Sequence, residues 1–245
     1  MKGLILAGGL ATRLRPLTLV TNKHLLPVYS KPMIYYPLEA MQKAGIKEVL
    51  ISSSPSHAGD FANLLGAGEE FDLKLYYVVQ KNPQGGIADA ISLAKEFADG
   101  EKLLVILGDN IFNFDLKSIA GEFEKKKEGA MVFGVRMPTE SKQYGVIELD
   151  LQGKVISIEE KPENPKSDIA QTGIYMYDYR VFDFISNLSP SKRNELEVTD
   201  LNNFYVKEGN MHCKLIDWWI DAGTSHDELL RANNLVKEKV DAGEL

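Results

Sequence analysis

Four short stretches hold the residue types best suited to chemistry. The first is Gly8-Gly9, which follows an apolar run and leads within a few residues to Arg13 and Arg15, with Lys23 soon after. A tight glycine turn frees backbone N–H groups, and a guanidinium fork donates to two oxyanion oxygens at once. That combination suits a polyphosphate better than a single phosphate. Neither common phosphate loop fits it. The Walker pattern needs a second glycine followed by lysine and serine or threonine, and the dinucleotide fingerprint needs three spaced glycines with an acid about 20 residues on. Gly9-Leu10-Ala11 lacks the second glycine. Taken alone, the pair reads equally well as a plain strand-to-loop turn beside solvated arginines.

Carboxylates supply the next two stretches. Gly108-Asp109-Asn110 ends the apolar run 103–107. An ionised carboxylate near a core is costly unless it meets a cation or a set of donors. Magnesium is the natural counterpart, because it takes oxygen from one or two carboxylates and the rest from phosphates and water. Asp221, in Trp219-Ile220-Asp221-Ala222-Gly223-Thr224, is the second such carboxylate, and sequence spacing does not bring the two together. A turn or helix-cap role competes at both positions. The fourth stretch, Glu159-Glu160-Lys161-Pro162, sets acceptors for hydroxyls beside a cation for a phosphate, which is what a sugar phosphate requires. An exposed charge run is the competing reading there, and Lys125-Lys126-Lys127-Glu128 is read as the end of a solvated helix.

Other chemistries find no support. His24, His57, His212 and His226 show no metal-binding spacing, and no Gly-x-Ser-x-Gly elbow is present. The single cysteine, Cys213, has neither a disulfide partner nor a zinc-ligand neighbour, which points to a reducing compartment. Tyr35-Tyr36 and Trp218-Trp219 read as packing aromatics.

These residues need strands and helices to position them. Strands at 2–7, 48–52, 74–79 and 103–107 alternate with helices at 32–44, 56–65 and 87–97, which predicts a mostly parallel sheet covered on both faces. Ligands of such sheets collect beyond the carboxyl ends of the strands. Those ends read Gly8-Gly9, Ser52-Ser53-Ser54, Gln80 and Gly108-Asp109-Asn110. Beyond residue 130, β-rich stretches at 131–136, 146–149, 155–158 and 173–177, with turns at Gly145 and Gly153, predict antiparallel additions to the sheet. Helices follow at 181–188, 198–207 and 225–240, the last capped by Thr224 or Ser225.

Composition narrows the partners. With 245 residues and 44% hydrophobic content, the chain is expected to form a single domain with a substantial core. A formal charge of -7 disfavours nucleic acid and anionic membrane surfaces. The apolar run at 4–7 is too short for a signal peptide, and no apolar run approaches the roughly 20 residues of a membrane helix. A cytoplasmic protein with no membrane or nucleic-acid partner is the expectation.

In order along the chain, LILAGGLATRLRPLT, NKHLLPV, KPMIYYPLEAM, NPQGGIADAI, LGDNIF, YGVIELD, IEEKP, TGIYMYD, ELEVTDLNN and WWIDAGT together resemble the sugar nucleotidyltransferases. The match is strongest to the shorter-form branch acting on hexose 1-phosphates to make dTDP-sugars, and it covers nearly the whole chain. The resemblance implies an α/β, Rossmann-like three-layer fold with a mixed, mostly parallel central sheet and added antiparallel β elements. It implies one domain over 1–245, with a nucleotide-binding half at about 1–130 and a sugar-binding half at about 131–245. The implied reaction joins dTTP and glucose 1-phosphate into dTDP-glucose and pyrophosphate with Mg2+, in a homo-oligomer.

Carried over by motif, Leu6, Gly8, Gly9, Thr12 and Arg13 would hold the nucleotide triphosphate, and Arg13 with Lys23 would stabilise charge at the α-phosphate. Gln80 and Gly85 would read the base. Asp109 would act in catalysis and hold magnesium with Asp221. Asn110, Gly145, Glu160, the Gln171 to Gly173 segment and Tyr175 would grip the sugar, and Lys161 its phosphate. Three departures from the pattern stand out. Ala11 replaces a usual glycine, so either the turn keeps φ negative or the loop is strained. NPQGGIA is one residue longer than usual, so Gly85 and Gly86 compete for the base. Gln171 stands where valine is common, which matters little if only its backbone meets the sugar. Three other functions compete: a uridylyltransferase or other hexose-1-phosphate enzyme, a non-catalytic sugar-nucleotide sensor, and a dinucleotide-dependent reductase.

Overall fold

In the first half of the chain, strand β1 (Lys2–Ala7) leads through three 3-10 turns to a short ribbon, β2 (Pro27–Val28) and β3 (Lys31–Pro32). Helix α1 (Tyr35–Lys43), β4 (Glu48–Ser53), α2 (Ala58–Leu65), β5 (Lys74–Val79), α3 (Ile87–Ser92), α4 (Lys95–Ala98), β6 (Leu103–Leu107), β7 (Asn110–Phe112) and α5 (Leu116–Lys125) follow. The second half adds β8 (Ala130–Arg136), β9 (Gly145–Leu149), β10 (Val155–Glu160), β11 (Ile169–Tyr177), α6 (Val181–Ser186), α7 (Val198–Lys207), β12 (Met211–Leu215), β13 (Trp219–Asp221) and α8 (His226–Asp241). This computed structural model describes residues 1–138 and 140–245.

Strands β5, β4, β1 and β6 lie side by side and parallel. Their sequences are continuously apolar because both faces are covered. Along β1, Leu4 and Leu6 pack with Ala88 and Ile91 of α3, while Ile5 and Ala7 pack with Leu38 and Met41 of α1. Strand β11 then runs antiparallel to β6, β8 and β9, and β10 runs antiparallel to β9. The antiparallel additions therefore form as expected, with one correction. β12 joins the far edge of β8 in parallel, because α6 and α7 turn the chain around before it returns to the sheet.

Strands β6 and β9 share one edge of β11 end to end. Ile174 to Tyr177 pair with β6, and Ala170 pairs with Val146 of β9. Between these two pairings lie Gln171, Thr172 and Gly173, where the sheet splits. That split faces the carboxyl ends of β1 and β6.

Several boundaries differ from the sequence reading. The first helix begins at Tyr35 because Pro32 is taken up by the β2–β3 ribbon. The helix expected over 87–97 breaks in two, where Ala94 N–H bonds the carbonyl of Ile91 in a tighter 3-10 turn. Gly145 opens β9 opposite Glu160 and is not a turn residue. β11 starts at Ile169, four residues before the expected 173, because polar Gln171 and Thr172 interrupt its apolar pattern. Ser225 is the cap of α8, its hydroxyl accepting from Glu228 N–H at 3.1 Å.

Candidate active site

The strand ends and the sheet split enclose a cavity of about 830 Å³. One end of it starts at Gly8, where β1 stops. A Cβ on Gly8 would stand 2.5 Å from Gln80 Oε1, so any larger residue would push that amide aside. Gln80 is buried, and its amide is held in place by donating to Asp89 Oδ2 of α3 at 3.1 Å. Ala11 has φ 46° and ψ 39°, so of the two alternatives for the loop the strained one holds. A left-handed non-glycine residue costs roughly 1–2 kcal/mol. Its carbonyl accepts from Thr18 Oγ1 at 2.8 Å and from Leu14 N–H at 3.2 Å, which keeps the conformation in place. Leu14 is buried beneath the loop and Arg13 lines the cavity. Arg15 and Thr12 are exposed and lie off the cavity wall, so the arginine and lysine side chains of the wall are Arg13, Lys23 and Lys161.

The two carboxylates meet through a ribbon that local sequence does not announce. β13 pairs antiparallel with β7, setting Asp221 opposite Asn110, and Ala222 N–H donates to the Asp109 carbonyl at 2.9 Å. Lys23 Nζ donates to Asp109 Oδ2. Burial alone would raise the Asp109 carboxyl, but the Lys23 ammonium holds it well below the usual carboxylate range. Burial likewise opposes the charge on Lys23, and Asp109 raises it in return. Asp221 is pushed up to about 8, by burial first and by the charge of Asp109 second. Buried Asp109 and half-buried Asp221 thus both act on one ammonium, which is hydrogen-bonded to Asp109. Their all-oxygen donor set fits a hard divalent cation that draws its other ligands from phosphates, and such a cation would favour the ionised form of Asp221. Among the described residues no cluster of three or more His, Cys, Asp or Glu stands ready to hold a metal without a substrate.

At the other end, Glu160, Gly145 and Gln171 sit in a row across β10, β9 and β11. Glu160 accepts from Thr199 Oγ1 at 2.9 Å and from Arg193 at 3.4 Å, with Lys161 Nζ 3.5 Å away. Lys161, on the cavity wall, itself has φ 44°, a left-handed non-glycine residue like Ala11.

Of the carried-over residues, Leu6, Gly8, Gly9, Arg13, Lys23, Gln80 and Asp109 line the side of the cavity at the parallel strand ends. Gly145, Glu160, Lys161, Gln171, Tyr175 and Asp221 line the rest. Asn110 does not reach the cavity. Its Oδ1 accepts from Gly173 N–H at 2.8 Å and from Trp219 Nε1 at 2.5 Å, and its amide nitrogen donates to Asp109 Oδ1, so it braces the site from behind. Gly86, with φ 91°, faces the cavity, whereas Gly85 turns its carbonyl to Leu196 N–H.

Sequence reasoning missed Thr199, which had no signal beyond its place in ELEVTD, and Gly223, whose need for glycine arises only from distant neighbours. It also missed His24. Its Nδ1 donates to Asn22 Oδ1 at 2.7 Å, and burial, reinforced by Lys23, pushes the ring down to about 3. The native ring stays neutral while the unfolded one titrates near 6.5, so the unfolded state binds the extra proton between those values. Stability from this group is complete above pH 6.5 and is lost as the pH falls toward 3. The loss is about 2 kcal/mol at pH 5. His24→Asn should remove this component, so its urea midpoint should fall less between pH 7 and pH 5 than that of the wild type. An equal fall in both proteins would rule out His24 as the source.

The chain matches the family model described as nucleotidyl transferase over residues 2–239. It belongs to that family. This nucleotidyl transferase is 43% identical over 240 residues to the glucose-1-phosphate thymidylyltransferase of Xanthomonas campestris pv. campestris strain B100, covering 96% of this chain and 80% of that one. The enzyme of the same name from Neisseria gonorrhoeae is 43% identical over 228 residues, covering 91% and 78%. Among solved structures, a Bacillus anthracis protein described as a candidate glucose-1-phosphate thymidylyltransferase, in complex with a sucrose, superposes with a TM-score of 0.90. It is 46% identical and covers 96% of this chain and 94% of its own. A UDP-glucose pyrophosphorylase complexed with UDP-glucose superposes at 0.85 with 25% identity, covering 97% and 98%. The transferase shares the α/β fold of both neighbours. Among the described residues it has no helix long and apolar enough to cross a membrane.

Proposed function

We propose that this transferase is a glucose-1-phosphate thymidylyltransferase, joining dTTP and glucose 1-phosphate into dTDP-glucose with release of pyrophosphate, and that its metal is Mg2+. The observation carrying this reading is one cavity with a glycine-arginine loop at one end, Glu160 and Lys161 at the other, and the Lys23–Asp109–Asp221 cluster on the wall they share. The curated relatives that match over nearly the whole chain bear the same name.

A phosphate oxygen of glucose 1-phosphate is the nucleophile. It forms a bond to the α-phosphorus of dTTP as the bond from that phosphorus to the bridging oxygen breaks, and the electron pair leaves with pyrophosphate. A phosphate oxygen is ionised at neutral pH, so no general base is required and rate comes from placement and charge stabilisation. Backbone N–H groups at Gly8 and Gly9, with Arg13, hold the triphosphate. Lys23 offsets the charge that grows at the α-phosphate. Lys161 holds the sugar phosphate against the repulsion between two anions, and Glu160 accepts from sugar hydroxyls. Gln80 and the Gly85-Gly86 turn meet the base edge. Magnesium, held by Asp109 and Asp221, would supply further charge stabilisation to the leaving group.

Uracil presents the same hydrogen-bonding edge as thymine and differs by one methyl, which is worth roughly 1–3 kcal/mol, or about 10- to 100-fold. Pyrophosphate release should therefore favour dTTP over UTP by about that factor, and glucose 1-phosphate over its epimers. Absence of turnover with dTTP would overturn the proposal, and absence of turnover with every nucleotide would leave a sensor.

A further inference from the structure

Gln171 is a buried polar residue on a strand face otherwise given over to Ile169, Gly173, Tyr175 and Tyr177. It sits where the sheet splits, on the cavity wall. A buried amide there is unfavourable unless its groups are satisfied, and an amide brings one oxygen and two N–H donors. The oxygen is accounted for. Asn202 Nδ2 donates to Gln171 Oε1 at 3.1 Å, and Asn202 is locked in turn because its own Oδ1 accepts from Tyr177 OH at 2.7 Å.

This relay fixes which way the Gln171 amide points. With its oxygen turned to Asn202, its nitrogen lies over Gly145, where a Cβ would stand 3.5 Å from Nε2, and beside the Tyr175 hydroxyl. Even with one N–H directed at Tyr175, the second is left for a ligand. Glu160 stands two strands away across bare Gly145. Two interstrand spacings amount to about 10 Å, which accommodates a hexose ring between an acceptor on one side and a donor on the other.

We infer that the side-chain amide of Gln171 donates a hydrogen bond to a ring hydroxyl of the incoming hexose 1-phosphate, making it a specificity-determining residue of the sugar site. The inference rests on the thymidylyltransferase reading and extends it from the backbone of this segment to the side chain. Its substrate class is a hexose 1-phosphate carrying an oxygen at the hydroxyl position that Gln171 reaches.

The test measures kcat/KM for glucose 1-phosphate and its 2-, 3-, 4- and 6-deoxy analogues with saturating dTTP. Wild type is compared with Gln171→Val and with Gln171→Met, which keeps the side-chain volume. A site built to bond a hydroxyl is left with an unpaired donor by the deoxy analogue, so wild type should lose about 10- to 100-fold at one position. Both variants should lose less than about threefold at that position, while penalties at the others stay as in wild type. Equal penalties in all three proteins would overturn the role of Gln171 and leave the thymidylyltransferase reading intact. A wild type indifferent to all four deletions would overturn it without need of the variants. No turnover of any hexose 1-phosphate by wild type would overturn the broader reading and this inference with it.

Discussion

Asp109→Asn should lower pyrophosphate release by about a thousandfold or more, with a much smaller effect on folding. Losing one charged group from a preorganised, water-poor site typically costs 10²–10³ in rate, and Asp109 both holds Lys23 and is a proposed metal ligand. The fold should survive because the cluster carries a spare carboxylate. Removing one member of a buried pair usually costs several kcal/mol by stranding its partner. Here Asp221 already acts on Lys23 and can take up the ammonium. Its own carboxyl, raised partly by the Asp109 charge, should drop toward the ordinary range in the variant. The expected stability loss is below about 2 kcal/mol, read from the urea midpoint. Magnesium-dependent turnover within tenfold of wild type would remove Asp109 from the mechanism.

Gly223→Ala should reduce kcat by about a hundredfold without touching any charged group. A Cβ at this position would stand 2.3 Å from Asp109 Oδ2 and 2.8 Å from Lys23 Nζ. Neither atom can stay in place at those distances, and both belong to the cluster proposed to meet the α-phosphate. A displacement of about 1 Å in such a site is enough to cost about 10² in rate. Gly223 does not adopt a left-handed φ, so the backbone itself accepts alanine and the protein should fold. Gly121→Ala serves as the control. Gly121 lies within α5 with open space where a Cβ would go, and alanine there should stabilise the helix by roughly 0.5–1 kcal/mol and leave the rate alone. Equal rates for Gly223→Ala and wild type would show that the Ala222-Gly223 segment does not position the cluster.

The strained loop residue connects sequence and site differently. Ala11 takes a left-handed conformation that its neighbours hold in place with two hydrogen bonds to its carbonyl. The substitution was visible in the sequence as a departure from glycine, but which of its two outcomes holds depends on Thr18 and Leu14. Gln171 behaves similarly. It interrupts the apolar pattern of β11, which hid the start of that strand, and it does so because that part of the strand faces the cavity.

Sequence alone determined the parallel layer and the strand-end loops that line one side of the cavity. β1, β5, β6 and α7 have the bounds that apolar runs and helical period predict, because a strand buried on both faces must be apolar throughout and a helix buried on one side must repeat every three to four residues. The glycine-arginine loop and Asp109 follow from those strands, since parallel sheets place their ligands at carboxyl ends. Tertiary structure decided the meeting of Asp109 with Asp221, the split of β11 between β6 and β9, the parallel return of β12, and the orientation of the Gln171 amide. Each depends on pairing between segments far apart in the chain. Such pairing is set by which edges remain free once the rest of the sheet has formed, so no local run of residues carries it.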